Sequence, residues 1–136
     1  MLARLHVRNY VLIDSLEIDF PEGLIIITGQ TGAGKSILLG ALSLVMGAKA
    51  DASMVSEGAD NCVVEAEFET ADKTLQNVLE ENEVEWEEGH ITIRRVVNRS
   101  GRSRAFVNDS PVSVQILQDI SSQLVDVHSQ HQTLLL

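Results

Sequence analysis

The chain has 136 residues, 44% apolar and 4% aromatic, with a formal charge of −10 at pH 7. That length suits one apolar core, and no apolar stretch reaches the roughly 18 residues that cross a bilayer, so a helical membrane protein is excluded and a cytoplasmic α/β domain is expected. The acidic balance excludes a surface that attracts nucleic acid everywhere, but not a local basic patch.

Leu2 to Val7 and Val11 to Phe20 show apolar/polar alternation, clearest in Leu16-Glu17-Ile18-Asp19-Phe20. Two strands joined by a turn near Asn9-Tyr10 are expected. Pro21-Glu22-Gly23 breaks the chain before Leu24-Ile25-Ile26-Ile27-Thr28, whose uninterrupted apolar character suits a buried parallel strand. Ile37 to Met46 has the spacing of a helix whose first turn takes in Lys35 and Ser36. Between the two runs, Gly29-Gln30-Thr31-Gly32-Ala33-Gly34-Lys35-Ser36 match the phosphate-loop pattern G-x-x-x-x-G-K-[ST] in the strand-loop-helix setting it requires.

The chemistry accounts for that spacing. Glycines at 29, 32 and 34 let successive N–H groups turn inward around a phosphate, and the following helix adds its positive N-terminal end. Lys35 is placed to reach the β- and γ-phosphates and to neutralise charge growing during transfer, and the Ser36 hydroxyl is placed to hold Mg²⁺. Gly29, Gln30, Thr31, Gly32, Ala33, Gly34, Lys35, Ser36 and Ile37 are the candidate residues for binding ATP. An ordinary glycine-rich turn with a chance lysine is the bland alternative.

Gly47 to Asn61 has no firm period and is expected to form a long loop. Val63 to Phe68 looks like a half-exposed strand, and the lone Cys62 directly before it continues the same run, where a packing role outweighs a redox one. A helix from about Ala71 to Glu81 puts Leu75, Val78 and Leu79 on one face. Six glutamates between Glu80 and Glu88 then suggest a solvated loop, with Trp86 as its packing anchor. His90 to Val97 and Ser103 to Val107 flank Asn98-Arg99-Ser100-Gly101-Arg102, a β-hairpin pattern. Pro111 with Ser110 as cap introduces a helix from Val112 to Ser121, and Leu124-Val125-Asp126-Val127 reads as a short strand. The polar segment His128 to Gln132 closes the pattern; His128 and His131 lack the third ligand that zinc needs.

Charge is segregated. Arg94, Arg95, Arg99, Arg102 and Arg104 are half of the ten basic residues. They are candidate contacts to DNA phosphates, which would give salt-dependent, sequence-independent binding. Local charge balance against the acidic run is the competing account.

Leu5-His6-Val7-Arg8-Asn9-Tyr10-Val11-Leu12-Ile13, together with Ile27 to Leu38, resembles the opening of SMC-like, ABC-type ATPase heads. Gly47-Ala48-Lys49-Ala50-Asp51, the hairpin from Ile93 to Asn108, and Leu124 to Gln132 narrow the resemblance to the RecN family of bacterial DNA-repair proteins. It runs over essentially the whole chain. The resemblance implies an α/β P-loop NTPase lobe, residues 1–136, whose mainly parallel sheet carries the nucleotide site beside an antiparallel β portion. It further implies that a coiled coil and a C-terminal lobe belong to the full protein, and that Gln130 contacts Mg²⁺ and senses the γ-phosphate, with Gln132 the competing assignment. Arg8 and Asn9 fall where related heads approach the nucleotide. The family often has an arginine where this chain has Lys49, so a role for that arginine is in doubt here.

The function so implied is ATP hydrolysis in recombinational repair of double-strand breaks, with ATP-driven engagement of two heads coupled to DNA binding at the nucleoid. The signature loop and the water-activating carboxylate are absent from this sequence, and Asp126 is a weak substitute. The chain alone is therefore expected to bind Mg-ATP weakly and to turn it over negligibly. Rival readings are a small-molecule P-loop kinase and a non-catalytic anion-binding module.

Overall fold

The structure, a computed structural model, describes residues 2–20, 32–70, 73–85 and 89–126. The segment 24–28, expected as a buried parallel strand, lies outside them, as do Trp86 and the polar segment from His128 onward.

In chain order the described elements are β1 (Leu2–Tyr10), β2 (Ile13–Asp19), α1 (Gly32–Val45), a 3₁₀ turn (Ala52–Met54), β3 (Asn61–Glu69), α2 (Lys73–Glu81), β4 (His90–Asn98), β5 (Ser103–Val107), β6 (Ser110–Val112) and α3 (Val114–Asp126). The six strands form one sheet in the order β2-β1-β3-β4-β5-β6, and every neighbouring pair is antiparallel. The antiparallel portion expected from the sequence is thus larger than two early strands and a hairpin.

Alternation along these strands makes the sheet two-faced. Cys62, Val64, Ala66 and Phe68 of β3, Ile91, Ile93 and Val97 of β4, and Ala105 and Val107 of β5 are buried together. Register aligns them: Leu5 faces Ala66, Ala66 faces Ile93, and Ile93 faces Val107. α1 covers β3 and β4, while α3 covers β5 and meets α2. Their buried side chains, Ala41, Leu44 and Val45 of α1, Leu75 and Leu79 of α2, and Leu117, Ile120 and Leu124 of α3, complete the core. The other face, with Glu65, Arg94, Val96 and Phe106, is only half covered.

Three boundaries differ from the sequence expectation. β1 continues through Tyr10, which pairs with Ile13, so the reversal falls at Val11-Leu12. Asn9 and Val11 take φ of 53° and 52°. A β-branched residue is strained there, and Val11 is held by its N–H to Met54 O (2.9 Å) and by Ser56 Oγ donating to its carbonyl (2.7 Å). Pro111 lies in edge strand β6 and does not open a helix. Asn108 and Asp109, at φ 49° and 67°, form a two-residue turn that returns the chain as a strand. Ser113, not Ser110, caps α3, accepting from the Ile116 N–H at 3.1 Å. Leu124 to Asp126 finish α3 and are not a strand: Leu117, Ile120 and Leu124 recur at helical spacing on one buried face.

The acidic loop is pinned more firmly than its composition suggests. Glu80, Glu81, Glu83 and Glu85 are exposed, but Val84 is buried and donates its N–H to Leu79 O at 2.8 Å.

Candidate nucleotide site and basic hairpin

α1 becomes helical at Gly32, so Lys35 and Ser36 belong to its first turn, as the pattern requires. That turn contains no acidic residue, and the positive N-terminal end of a helix suits an anion. Ser36 is exposed, whereas Ile37 packs partly against the core. Gly29, Gln30 and Thr31, and likewise Gln130 and Gln132, lie outside the described residues.

Two close approaches fix this helix. A Cβ built on Gly40 would run into the Tyr10 hydroxyl, so β1 and α1 meet closely there and a larger residue requires the Tyr10 side chain to shift. At its far end Gly47 has φ 103°, and the Ala48 N–H returns to Ser43 O at 3.0 Å, closing a glycine-ended cap. Gln118 Nε2 of α3 donates to Gly47 O at 2.9 Å.

The five hairpin arginines do not act together. Arg95 points inward and is fully buried, so it is not a DNA contact. Adjacent strand residues project to opposite faces, and Arg95 takes the face of Ile91, Ile93 and Val97. Its Nη1 donates to Leu44 O (2.8 Å) and Ala48 O (2.9 Å), and its Nη2 to Ser103 Oγ (2.9 Å). Nε finds no partner among the described residues. Burial lowers the pKa of this guanidinium from its ordinary value, and burial likewise raises that of Cys62, so the thiol stays neutral and inert.

On the outer face, Arg94, Arg102 and Arg104 line a shallow concavity of about 540 Å³ with Asn61, Val96, Asn98 and Phe106. The Arg94 guanidinium sits 4.4 Å from the centroid of the Phe106 ring. Arg94 pairs with Asp109 (3.3 Å) and Glu65 (3.9 Å), and Arg99 with Asp60 (3.9 Å). Among the described residues neither of these arginines pairs with the acidic run, of which Glu87 and Glu88 lie outside the described residues. Arg102 and Arg104 are exposed and form no ion pair with a described residue. Asn98 braces the tip: its Oδ1 accepts from Ser100 N (3.0 Å), Ser100 Oγ (2.6 Å) and Arg102 N (3.1 Å). No trio of metal-ligating side chains gathers among the described residues, and no described helix is long and apolar enough to cross a membrane.

Residues 4–136 match the family described as AAA domain. The chain belongs to that family. It is 42% identical over 132 residues to the DNA repair protein RecN of Vibrio cholerae, a match covering 96% of this chain and 24% of that protein. The RecN of Synechocystis is 41% identical, covering 98% of this chain and 23% of its own length. The chain thus spans about a quarter of these curated relatives. The fold is that of SMC heads: the SMC head domain from Thermotoga maritima superposes with a TM-score of 0.61 at 26% identity, over 87% of this chain and 41% of that one. The resemblance to a RecN-like, SMC-like ATPase lobe is therefore established, and with it the P-loop fold class. Family membership implies nucleotide binding.

Of the site, the sequence anticipated a helix here, which begins at Gly32, a few residues before the expected start; the loop residues ahead of it lie outside the described residues. It missed Arg95 as an internal residue, although the alternation of Ile91, Ile93 and Val97 carries that signal.

Proposed function

We propose that this chain is the ATP-binding N-terminal lobe of a RecN-like ATPase acting in recombinational DNA repair. The observation that carries the reading is the coincidence of the G-x-x-x-x-G-K-[ST] pattern with a helix that starts at Gly32, in a chain 42% identical to a DNA repair protein RecN. The AAA domain match does not favour the kinase or the anion-binding module.

The residues present fit a magnesium nucleotide, because the first turn of α1 offers amide donors, a lysine and a hydroxyl without a competing carboxylate. Mg²⁺, when bound, neutralises the β- and γ-phosphate oxygens. Lys35 binds and polarises the terminal phosphate, the loop amides hold the chain of phosphates in line, and Ser36 with Gln130 supplies oxygen ligands. No residue in this chain is assigned to activate water. That carboxylate, the signature loop and a second head come from a C-terminal lobe and a partner copy, so hydrolysis belongs to the full-length cytoplasmic protein on its DNA. Arg94, Arg102 and Arg104 contact phosphates there.

The test is titration of the chain with Mg-ATP and a non-hydrolysable analogue, beside Lys35→Ala. Weak binding that Lys35→Ala abolishes, without turnover, is expected. Turnover near 1 s⁻¹, ordinary for an ATPase, would refute the half-site reading. Binding unaffected by Lys35→Ala would remove the loop from the site.

A further inference from the structure

The hairpin of β4 and β5 joins an outer and an inner set of polar residues. Arg94, Arg102 and Arg104 line the outer concavity, which Ser103 also borders, while Ser103 is bonded to the buried Arg95, and Arg95 in turn to Leu44 at the end of α1 and to Ala48 just beyond it. α1 has 14 residues. At about 1.5 Å per residue it is a rod of roughly 21 Å, with Gly32 at one end and Leu44, held by the Arg95 guanidinium, near the other.

Holding a helix end does not demand a charge. Arg95 has no carboxylate partner among the described residues, and its Nε is unbonded among them. The partial negative charge of the α1 C-terminus offsets only part of the desolvation. An apolar residue of similar volume often holds such a site as well or better. A planar fork does something an apolar residue cannot: it fixes one carbonyl of α1, one carbonyl of the segment after its glycine cap and one hydroxyl of β5 in a single rigid group.

We infer that Arg95 is a positioning residue that couples nucleotide at the head of α1 to the basic hairpin, through the Leu44, Ala48 and Ser103 bonds. The inference rests on the nucleotide reading above. A shift of α1 along its axis moves Leu44 O and, through the cap at Gly47, Ala48 O, and the guanidinium carries that shift to Ser103, which lies between Arg102 and Arg104, the two outer arginines that form no ion pair with a described residue. The reverse path is equally open, since coupling between sites is reciprocal.

The test uses the full-length protein and follows hydrogen–deuterium exchange of the hairpin amides, residues 98–107, with and without saturating magnesium and a non-hydrolysable ATP analogue. The wild type is expected to change hairpin exchange by about fivefold or more, the lower end of ordinary site-to-site coupling. Arg95→Lys keeps the charge without the fork; Ser103→Ala keeps the bonds to Leu44 O and Ala48 O and removes the hairpin bond. Both are expected to bind the analogue with near wild-type affinity and to lose the hairpin response. Should Arg95→Lys fail to fold, Ser103→Ala decides alone. A full-sized response in Ser103→Ala, or a wild type that binds the analogue and shows none, overturns the inference. Titration of the same samples identifies the remaining outcome: a wild type that binds no analogue refutes the nucleotide reading and the coupling with it.

Discussion

Gly40→Ala isolates the contact between the first strand and the phosphate-loop helix. In an exposed helix interior this substitution stabilises by about 1 kcal/mol, because alanine loses less backbone freedom than glycine. Here the new methyl collides with the Tyr10 hydroxyl, while the ring carbon behind it stands at 3.6 Å, an ordinary contact. Tyr10 is 5% exposed, so the ring has little room to withdraw. Overpacking of this kind costs about 1–3 kcal/mol, which leaves Gly40→Ala between neutral and about 2 kcal/mol destabilised. Tyr10→Phe removes the obstructing oxygen. In that background Gly40→Ala is expected to recover its intrinsic gain of about 1 kcal/mol, so the double-mutant cycle should show a favourable coupling of about 1–3 kcal/mol. Urea denaturation of the four proteins, with midpoints and slopes compared, measures it. Additive effects would show that the hydroxyl does not limit the approach of β1 to α1.

Asp51 caps the 3₁₀ turn by accepting the Ser53 N–H at 2.9 Å, and that hydrogen bond holds its carboxyl below the ordinary value. A depressed folded-state pKa gives stability that is present above the unfolded value of about 3.9 and is lost as pH falls through the folded value. The Tm gap between wild type and Asp51→Ala should therefore be largest near neutrality and close progressively below about pH 4; a gap independent of pH would reject the assignment. In the full-length protein, Arg102→Ala and Arg104→Ala should weaken DNA binding across sequences and each reduce the slope of log affinity against log salt by about 1. Unchanged slopes in both would remove the outer hairpin face from DNA contact.

The sequence disclosed elements wherever local pattern and burial agree. β3 and β4 alternate cleanly, and Leu75 and Leu79 mark α2 by their spacing. It misled where two short-range signals compete. Ser110-Pro111 resembles a cap followed by a first helical residue, yet the turn at Asn108-Asp109 commits the next residues to pairing: Val107 faces Ser110 and Phe106 faces Pro111. Proline is tolerated there because β6 is an edge and needs no donor on its outer side. Leu124-Val125-Asp126 has strand-like composition, but it inherits the periodicity begun at Leu117. The two adjacent arginines of β4 could not be separated by residue type. Alternation assigns them to opposite faces, and the positions of Leu44 O and Ala48 O explain how the core accommodates a cation.

The edges of the sheet bear on how this lobe meets other protein. Among the described residues β2 and β6 are the outer strands. β6 has three residues and contains Pro111, and β2 exposes Asp14, Glu17 and Asp19, with Arg4 of β1 drawn to Asp19 at 2.8 Å. Short length, proline and charge are the features that discourage a foreign strand from pairing. The exposed Arg4 pairs add little stability, so their value at this edge lies in keeping it charged. Strand addition is therefore a poor route to the second head in the proposed assembly. In the assembly proposed above, a partner meeting the first turn of α1 would avoid both of these edges.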